Sequence, residues 1–139
     1  MHLSREEKQT IIRTLKAKLP DLQALYLFGS QHDGSATRDS DIDIAYLSQT
    51  PLNTVARWDL SQALASQLLR DVDLVELSST NTVFRYQILS TGERIYGGGY
   101  EVESFETLAY SFYLRFQEER RPIIDEIIKN RSVLGGKHA

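Results

Sequence analysis

The stretch "LFGSQHDGSATRDSDIDIAYL" (residues 27–47) places two acidic residues close together at the start of an apolar segment. The pair Gly29-Ser30 ends one apolar run, and Asp41 and Asp43 follow after a ten-residue gap. The alternation in "SDIDIAYL" predicts a strand, in which residues two apart project to the same face. Two carboxylates about 4 Å apart repel by roughly 4 kcal/mol at an effective dielectric constant of about 20. Such a pair needs a cation, full solvation or protonation of one partner.

A third carboxylate, Asp73, lies in "VDLVEL" (72–77), which also alternates and predicts a strand. Magnesium prefers oxygen ligands and keeps positions for water and substrate phosphates. Three carboxylates on adjacent strands would suit a two-metal site that activates a hydroxyl and stabilises a leaving pyrophosphate. The alternative for Asp41 and Asp43 is a solvated pair on an edge strand. An EF-hand is excluded because its twelfth position would be Thr50 rather than glutamate.

The Gly29-Ser30 pair predicts a phosphate contact at the end of the preceding strand. Gly29 lacks a side chain, which allows close approach of the backbone. The hydroxyl and N–H of Ser30 can bind a phosphate, particularly where a short helix begins. Ser30 could also act only as a helix cap, and the two roles are compatible.

The composition favours a soluble, cytoplasmic, single-domain protein. The chain has 139 residues, of which 41% are hydrophobic and 25% charged, as is ordinary for globular domains. Its formal charge of −3 gives no general attraction to nucleic acid or to anionic membrane. We find neither an apolar stretch long enough to span a bilayer nor the pattern of a signal peptide.

The hydrophobic periodicity predicts alternating helices and strands followed by a helical extension. Ser4 and Glu7 form a capping box at the start of the first helix. Strands are expected over 22–28, 40–47 and 72–77, with a possible edge strand over 93–96; helices are expected before Pro20, between 51 and 69 and over 81–92. Three glycines at 97–99 divide a domain of residues 1–96 from an extension of residues 97–139.

The extension is expected to be one long helix, or two that meet near Pro122. Its apolar stripe over 105–116 is broader than one helix face, which is typical of burial on more than one side. The stripe can belong to the core or to an interface. If it is an interface, Tyr110, Tyr113 or Leu114 would be available to another chain.

The pattern of Gly29-Ser30, Asp41-Ile42-Asp43 and a later Asp73 resembles the nucleotidyltransferases of the DNA polymerase beta superfamily, especially the minimal nucleotidyltransferases. The resemblance covers about residues 20–96 and implies an α/β (α+β) nucleotidyltransferase fold, with a small mixed β-sheet, helices mainly on one face and a C-terminal helical extension. It implies that Asp41, Asp43 and Asp73 bind two Mg²⁺ ions and act in catalysis. The resemblance also implies that the substrate ATP is bound by Gly29, Ser30, Asp41 and Asp43.

The segment "FYLRFQEERRPIIDEI" (112–127) further resembles MntA-type antitoxins, which pair with HEPN-domain toxins of the HepT type. This resemblance implies a hetero-oligomer in which AMP passes from ATP to a tyrosine of the toxin and silences its ribonuclease activity. The loop Gln31–Asp33 departs from relatives that carry arginines there, and Arg38 is the nearest cation. The alternatives are a catalytically silent antitoxin and an enzyme that modifies a small molecule such as an aminoglycoside.

Overall fold

Four strands and four α-helices make up the described part of the chain. The computed structural model describes residues 3–29 and 41–138, without the side chains of residues 122–125 and 129–138. The elements are α1 (Arg5–Lys18), β1 (Leu22–Phe28), β2 (Ile42–Ser48), α2 (Thr54–Leu68), β3 (Val72–Glu76), α3 (Thr82–Thr91), β4 (Glu93–Gly97) and α4 (Tyr100–His138), with a short 3₁₀ turn at Leu77–Ser79. Within these described residues no helix is long and apolar enough to cross a membrane.

The strands form one mixed sheet in the order β3-β2-β1-β4. The pairs of β1 with β2 and with β4 are antiparallel, whereas β2 and β3 run parallel. The parallel pair requires a crossover connection, which α2 supplies. The sheet therefore has β3 and β4 at its edges.

Apolar cores lie on both faces of the sheet. On the first face, buried residues of α1 and α2 pack against alternate residues of the two central strands, which are Leu25, Leu27, Ile42, Ile44 and Tyr46. On the second face, the intervening residues Ala24, Tyr26, Phe28, Ala45 and Leu47 pack with Ile88 of α3 and Val102 of α4. Burial on both faces explains why β1 and β2 read as nearly continuous apolar runs. The predicted mixed sheet and helical extension are confirmed.

The local signals of the first helix are confirmed in detail. The Ser4 hydroxyl accepts a hydrogen bond from the Glu7 N–H at 3.1 Å, and Glu7 Oε1 accepts one from the Ser4 N–H at 3.0 Å. Both groups would otherwise be unpaired at the helix terminus, so the capping box fixes where α1 begins.

The C-terminal segment is one helix, and its first turns are attached to the sheet. The Tyr26 hydroxyl donates to Glu106 Oε2 at 2.6 Å, and Arg94 Nη1 lies 3.1 Å from the same oxygen. Burial raises the pKa of Tyr26, and the hydrogen bond to Glu106 raises it further. These contacts connect α4 to the two strands β1 and β4.

The aromatic residues farther along α4 divide between packing and exposure. The Tyr113 ring stacks on Tyr86 of α3 at a centroid distance of 3.8 Å, and the Tyr110 hydroxyl donates to the Leu89 carbonyl at 3.3 Å. Leu114, by contrast, is 63% exposed. Of the three residues predicted to remain available, Leu114 is the most exposed, while Tyr113 is largely used in packing against α3.

Two glycines at and just after the end of β4 provide a matched test of backbone packing. Gly97 and Gly99 have nearly the same φ, +92° and +91°. A Cβ atom at Gly97 would overlap the Gln23 carbonyl oxygen, whereas one at Gly99 would have nothing within 4 Å. The clash is with the β1 backbone, which cannot rotate away.

We expect Gly97→Ala to destabilise the protein far more than Gly99→Ala. Both variants carry the strain of a positive φ, about 1–2 kcal/mol, and only Gly97→Ala also separates β4 from β1. Urea unfolding followed by circular dichroism should show an additional loss of about 2 kcal/mol or more for Gly97→Ala. Equal losses in the two variants would contradict this role of Gly97.

Candidate functional site

The parallel register of β2 and β3 brings two of the predicted carboxylates together. Asp43 and Asp73 are direct partners across the two strands. Partners in a ladder project to the same face, so both side chains belong to the second face of the sheet. Asp41 lies just before β2 and is exposed. The predicted clustering of Asp43 with Asp73 is thus present, at the end of the sheet where both strands begin.

Asp43 is the electrostatic centre of this group. Partial burial, followed by the negative charges of Asp73 and Asp41, raises the pKa of Asp43 from 3.8 to about 6. All three effects disfavour the charged carboxylate in the absence of a cation. A cation bound here would reverse that balance.

Gly29 lies directly against the Asp43 carboxylate. Phe28 is the partner of Asp43 in the antiparallel ladder, so Gly29 follows at the edge of the site. Its φ is +69°, and a Cβ atom there would lie only 2.6 Å from Asp43 Oδ2. Glycine is therefore required by both conformation and space. The predicted phosphate contact Ser30 and the loop Gln31–Asp33 lie outside the described residues.

The carboxylates suit a metal that is completed by substrate. Across residues 3–29 and 41–138, no three acidic, histidine or cysteine side chains form a ready-made metal-binding group. Mg²⁺ commonly uses only one or two protein carboxylates and takes its other ligands from water and substrate phosphates. Asp43 and Asp73, whose mutual repulsion contributes to the raised pKa of Asp43, fit that kind of site.

Glu76 is separated from the site, because residues three apart in a strand, such as Asp73 and Glu76, project to opposite faces. Its Oε2 accepts a hydrogen bond from the Tyr46 hydroxyl at 3.1 Å, and Tyr46 belongs to the core on the first face. Burial and the charge of Glu76 raise the pKa of Tyr46 to about 12. Glu76 therefore has a structural partner on the face opposite to Asp73.

An apolar cavity of about 340 Å³, which the sequence did not predict, borders Gly29. Its other walls come from Phe28 at the end of β1 and from α3, including Phe84 and Ile88. These segments are more than fifty residues apart in the chain. No local pattern reports such a cavity, because it forms only when α3 packs on the sheet.

Comparison with known families agrees with this geometry. The profile of the family described as polymerase beta, nucleotidyltransferase matches residues 9–99, which include Gly29, Asp41, Asp43 and Asp73. The chain belongs to the polymerase beta nucleotidyltransferase family. The family predicted from the residue pattern is confirmed.

Individual nucleotidyltransferases of this family resemble the chain over most of its length. It is 44% identical over 120 residues to the protein adenylyltransferase MntA of Shewanella oneidensis, covering 86% of each chain. A crystal structure of a toxin–antitoxin with AMP-PNP matches with a TM-score of 0.78 and 43% identity, over 87% of this chain and 98% of that one. A structure of the tri-AMPylated Shewanella oneidensis HEPN toxin in complex with MNT antitoxin matches with a TM-score of 0.75 and 39% identity, over 91% and 99%.

The raised pKa of Asp43 predicts that Asp43→Asn stabilises the metal-free protein at neutral pH. Below about pH 4 the Asp43 carboxyl is protonated in both the folded and the unfolded protein, so it does not lower the free energy of unfolding. Between pH 4 and 6 this carboxyl ionises in the unfolded chain but not yet in the folded protein, so stability falls as pH rises. Above about pH 6 it is ionised in both, and the loss of stability has reached its full value. Because the group is partly exposed, we expect a gain of only about 1 kcal/mol at neutral pH.

Urea unfolding in the presence of a chelator measures this effect in the native protein and in Asp43→Asn. The two free energies of unfolding should converge as the pH falls towards 4. A variant that is less stable than the native protein at neutral pH, or a difference independent of pH, would contradict the electrostatic account.

Proposed function

We propose that this protein is a Mg²⁺-dependent antitoxin that transfers AMP from ATP to a tyrosine of a cognate HEPN ribonuclease toxin and thereby neutralises it. The observation that carries the proposal is the register of Asp43 and Asp73, with Gly29 against Asp43. The 44% identity to a protein adenylyltransferase supports the choice of reaction. The formal charge of −3 supports a protein that makes no direct contact with nucleic acid, and the proposed function implies a cytoplasmic location.

Each carboxylate has a distinct part in this proposal. Asp41 and Asp43 would hold both metal ions, and Asp73 would hold the ion near the incoming hydroxyl and help to remove its proton. Bound Mg²⁺ supplies neutralisation of the triphosphate charge and activation of the acceptor hydroxyl. Because β3 is an edge strand, Asp73 is open to an acceptor that approaches from outside the sheet.

The leaving pyrophosphate would lie on the other side of Asp43. Gly29 and Ser30 follow β1, the strand on the opposite side of β2 from β3. Gly29 leaves room for the β- and γ-phosphates beside Asp43, because it carries no side chain. Acceptor and leaving group would then stand on opposite sides of the transferred phosphate, as an in-line displacement requires.

The C-terminal extension, residues 97–139, would dock the toxin. Exposed apolar side chains of α4 lie on either side of Tyr113 in the sequence and continue towards the C-terminus, namely Phe112, Leu114, Ile127 and Ile128. Several exposed apolar side chains on one helix indicate a candidate interaction surface. The toxin complexes among the similar structures support a hetero-oligomer.

Label transfer from ATP tests the reaction. With ATP labelled at the α-phosphate, the native protein should label the toxin, whereas Asp43→Asn and Asp73→Asn should leave it unlabelled because metal binding is lost. Asp59→Asn removes an exposed carboxylate of α2 and should label normally. Labelling by a folded Asp43→Asn/Asp73→Asn double variant would refute the reaction.

The same assay separates the alternatives. Toxin inhibition without label, by the native protein, would indicate an antitoxin that acts by binding alone. Label on an aminoglycoside rather than on the toxin would indicate a small-molecule enzyme.

We expect Phe112→Ala combined with Leu114→Ala to weaken toxin binding about tenfold or more, since truncation of central apolar anchors often costs about 2 kcal/mol. ATP affinity should hardly change, because neither side chain contacts the catalytic end of the sheet. Calorimetry with toxin and with ATP measures both. Glu118→Ala with Glu119→Ala, exposed polar positions on the same helix, is the control. Unchanged toxin affinity in the apolar variant would move the docking surface elsewhere.

A further inference from the structure

A cavity of about 340 Å³ opens between the end of β1 and the last turns of α3. It is lined by Phe28, Gly29, Phe84, Gln87, Ile88 and Thr91. Gly29 joins this cavity to the catalytic carboxylates, because its α-carbon faces Asp43 Oδ2 closely enough that no side chain would fit between them. A molecule in the cavity is therefore beside the group that would hold the reacting phosphate.

The walls of this cavity are apolar and aromatic. Phe28 and Phe84 meet edge to face, with ring centroids 5.8 Å apart and an interplanar angle of 77°. Ile88 is almost fully buried beneath them. The two polar side chains, Gln87 and Thr91, are exposed at the surface of α3. This is the composition of a small-molecule pocket, largely apolar with a few polar groups that can fix orientation.

The same walls disfavour phosphate as the occupant. None of the six described lining residues is ionisable, so none of them supplies a positive charge to balance an anion. The cavity also lies at the C-terminal end of α3, where the helix dipole places partial negative charge. A neutral, flat group fits these surroundings better than any charged part of a nucleotide.

We propose that this cavity binds the purine base of ATP, and this inference rests on the function proposed above. The rings of Phe28 and Phe84 offer aromatic contact to the base. The Gln87 amide, which carries both donors and an acceptor, can pair with one edge of the base. The volume is near the lower limit for ligand pockets, which suits a base alone, with the phosphates outside beside Gly29 and Asp43.

Two other cavities are less suitable for the base. One of about 310 Å³ reaches Asp73, but its walls include the charged Arg57 and the exposed Trp58 of α2. Another of about 640 Å³ lies between α1 and α2. Because α1 and α2 pack on the first face, the sheet separates this second cavity from the face that carries the Asp43 carboxylate.

Comparing ATP with inorganic tripolyphosphate, which has no base, tests the proposal. Both ligands are titrated with Mg²⁺ by calorimetry into the native protein and into Thr91→Trp, whose indole would fill the cavity. We expect the Kd for ATP to rise about tenfold or more, a factor of ten being about 1.4 kcal/mol, while the Kd for tripolyphosphate stays the same. Ser90→Trp is the matched control, because the neighbouring position is exposed and does not line the cavity.

Gln87→Ala gives a second measurement that does not depend on tolerance of a bulky residue. This exposed position can lose its amide without disturbing the core. We expect the Kd for ATP to rise several-fold, because one hydrogen bond to the base is lost. The Kd for tripolyphosphate should not change. Trp58→Ala, at the cavity beside Asp73, should leave both constants unchanged.

Three results would overturn the base site: equal weakening of ATP and tripolyphosphate, equal effects of Thr91→Trp and Ser90→Trp, or weakening of ATP by Trp58→Ala alone. Each of these can occur while the native protein still labels the toxin, in which case the proposed reaction stands. Failure of the native protein to bind ATP and to label the toxin would instead refute the proposed function together with the base site.

Discussion

The repulsion between carboxylates at the start of β2 and β3 is the constraint on which the site depends. The parallel register makes Asp43 and Asp73 neighbours, and the half-buried position of Asp43 increases the cost of its charge. An isolated fold gains nothing from this arrangement, since above about pH 6 it carries an ionised Asp43 that burial and the neighbouring carboxylates disfavour. The cost is understandable if a cation and a nucleotide complete the site, because binding to the native state alone then stabilises it.

The double-sided burial of the sheet is what holds these charges in place. The central strands have apolar cores on both faces, so β2 cannot rotate or slip by one residue without placing Asp43 in the core. Gly29 fits the same rigid frame, as its conformation and its contact with Asp43 both follow from the pairing of β1 with β2. A group-transfer site needs such fixed geometry, since small displacements of the reacting groups reduce rates strongly.

The long helix α4 combines a structural and an interactive part. Its first turns are joined to β1 and β4 through Glu106, and its aromatic residues Tyr110 and Tyr113 surround Tyr86 of α3. Farther along, apolar side chains are exposed. Because α3 also lines the cavity beside Gly29, a partner on α4 would lie one helix away from the nucleotide end of the site.

The sequence by itself determined most of the elements and the identity of the acidic residues. A short apolar run predicted β1, alternation predicted β2 and β3, and the capping box predicted the start of α1. The spacing of Gly29, Asp41, Asp43 and Asp73 was specific enough to indicate the family. These signals are local, because they depend on side-chain period and on groups within a few residues of each other. Only the tertiary structure decided that Asp73 stands opposite Asp43, that Tyr113 packs on Tyr86, and that Phe28 and Phe84 enclose a cavity beside Gly29. Those features arise between segments far apart in the chain, where strand register and helix packing rather than sequence period set which side chains meet.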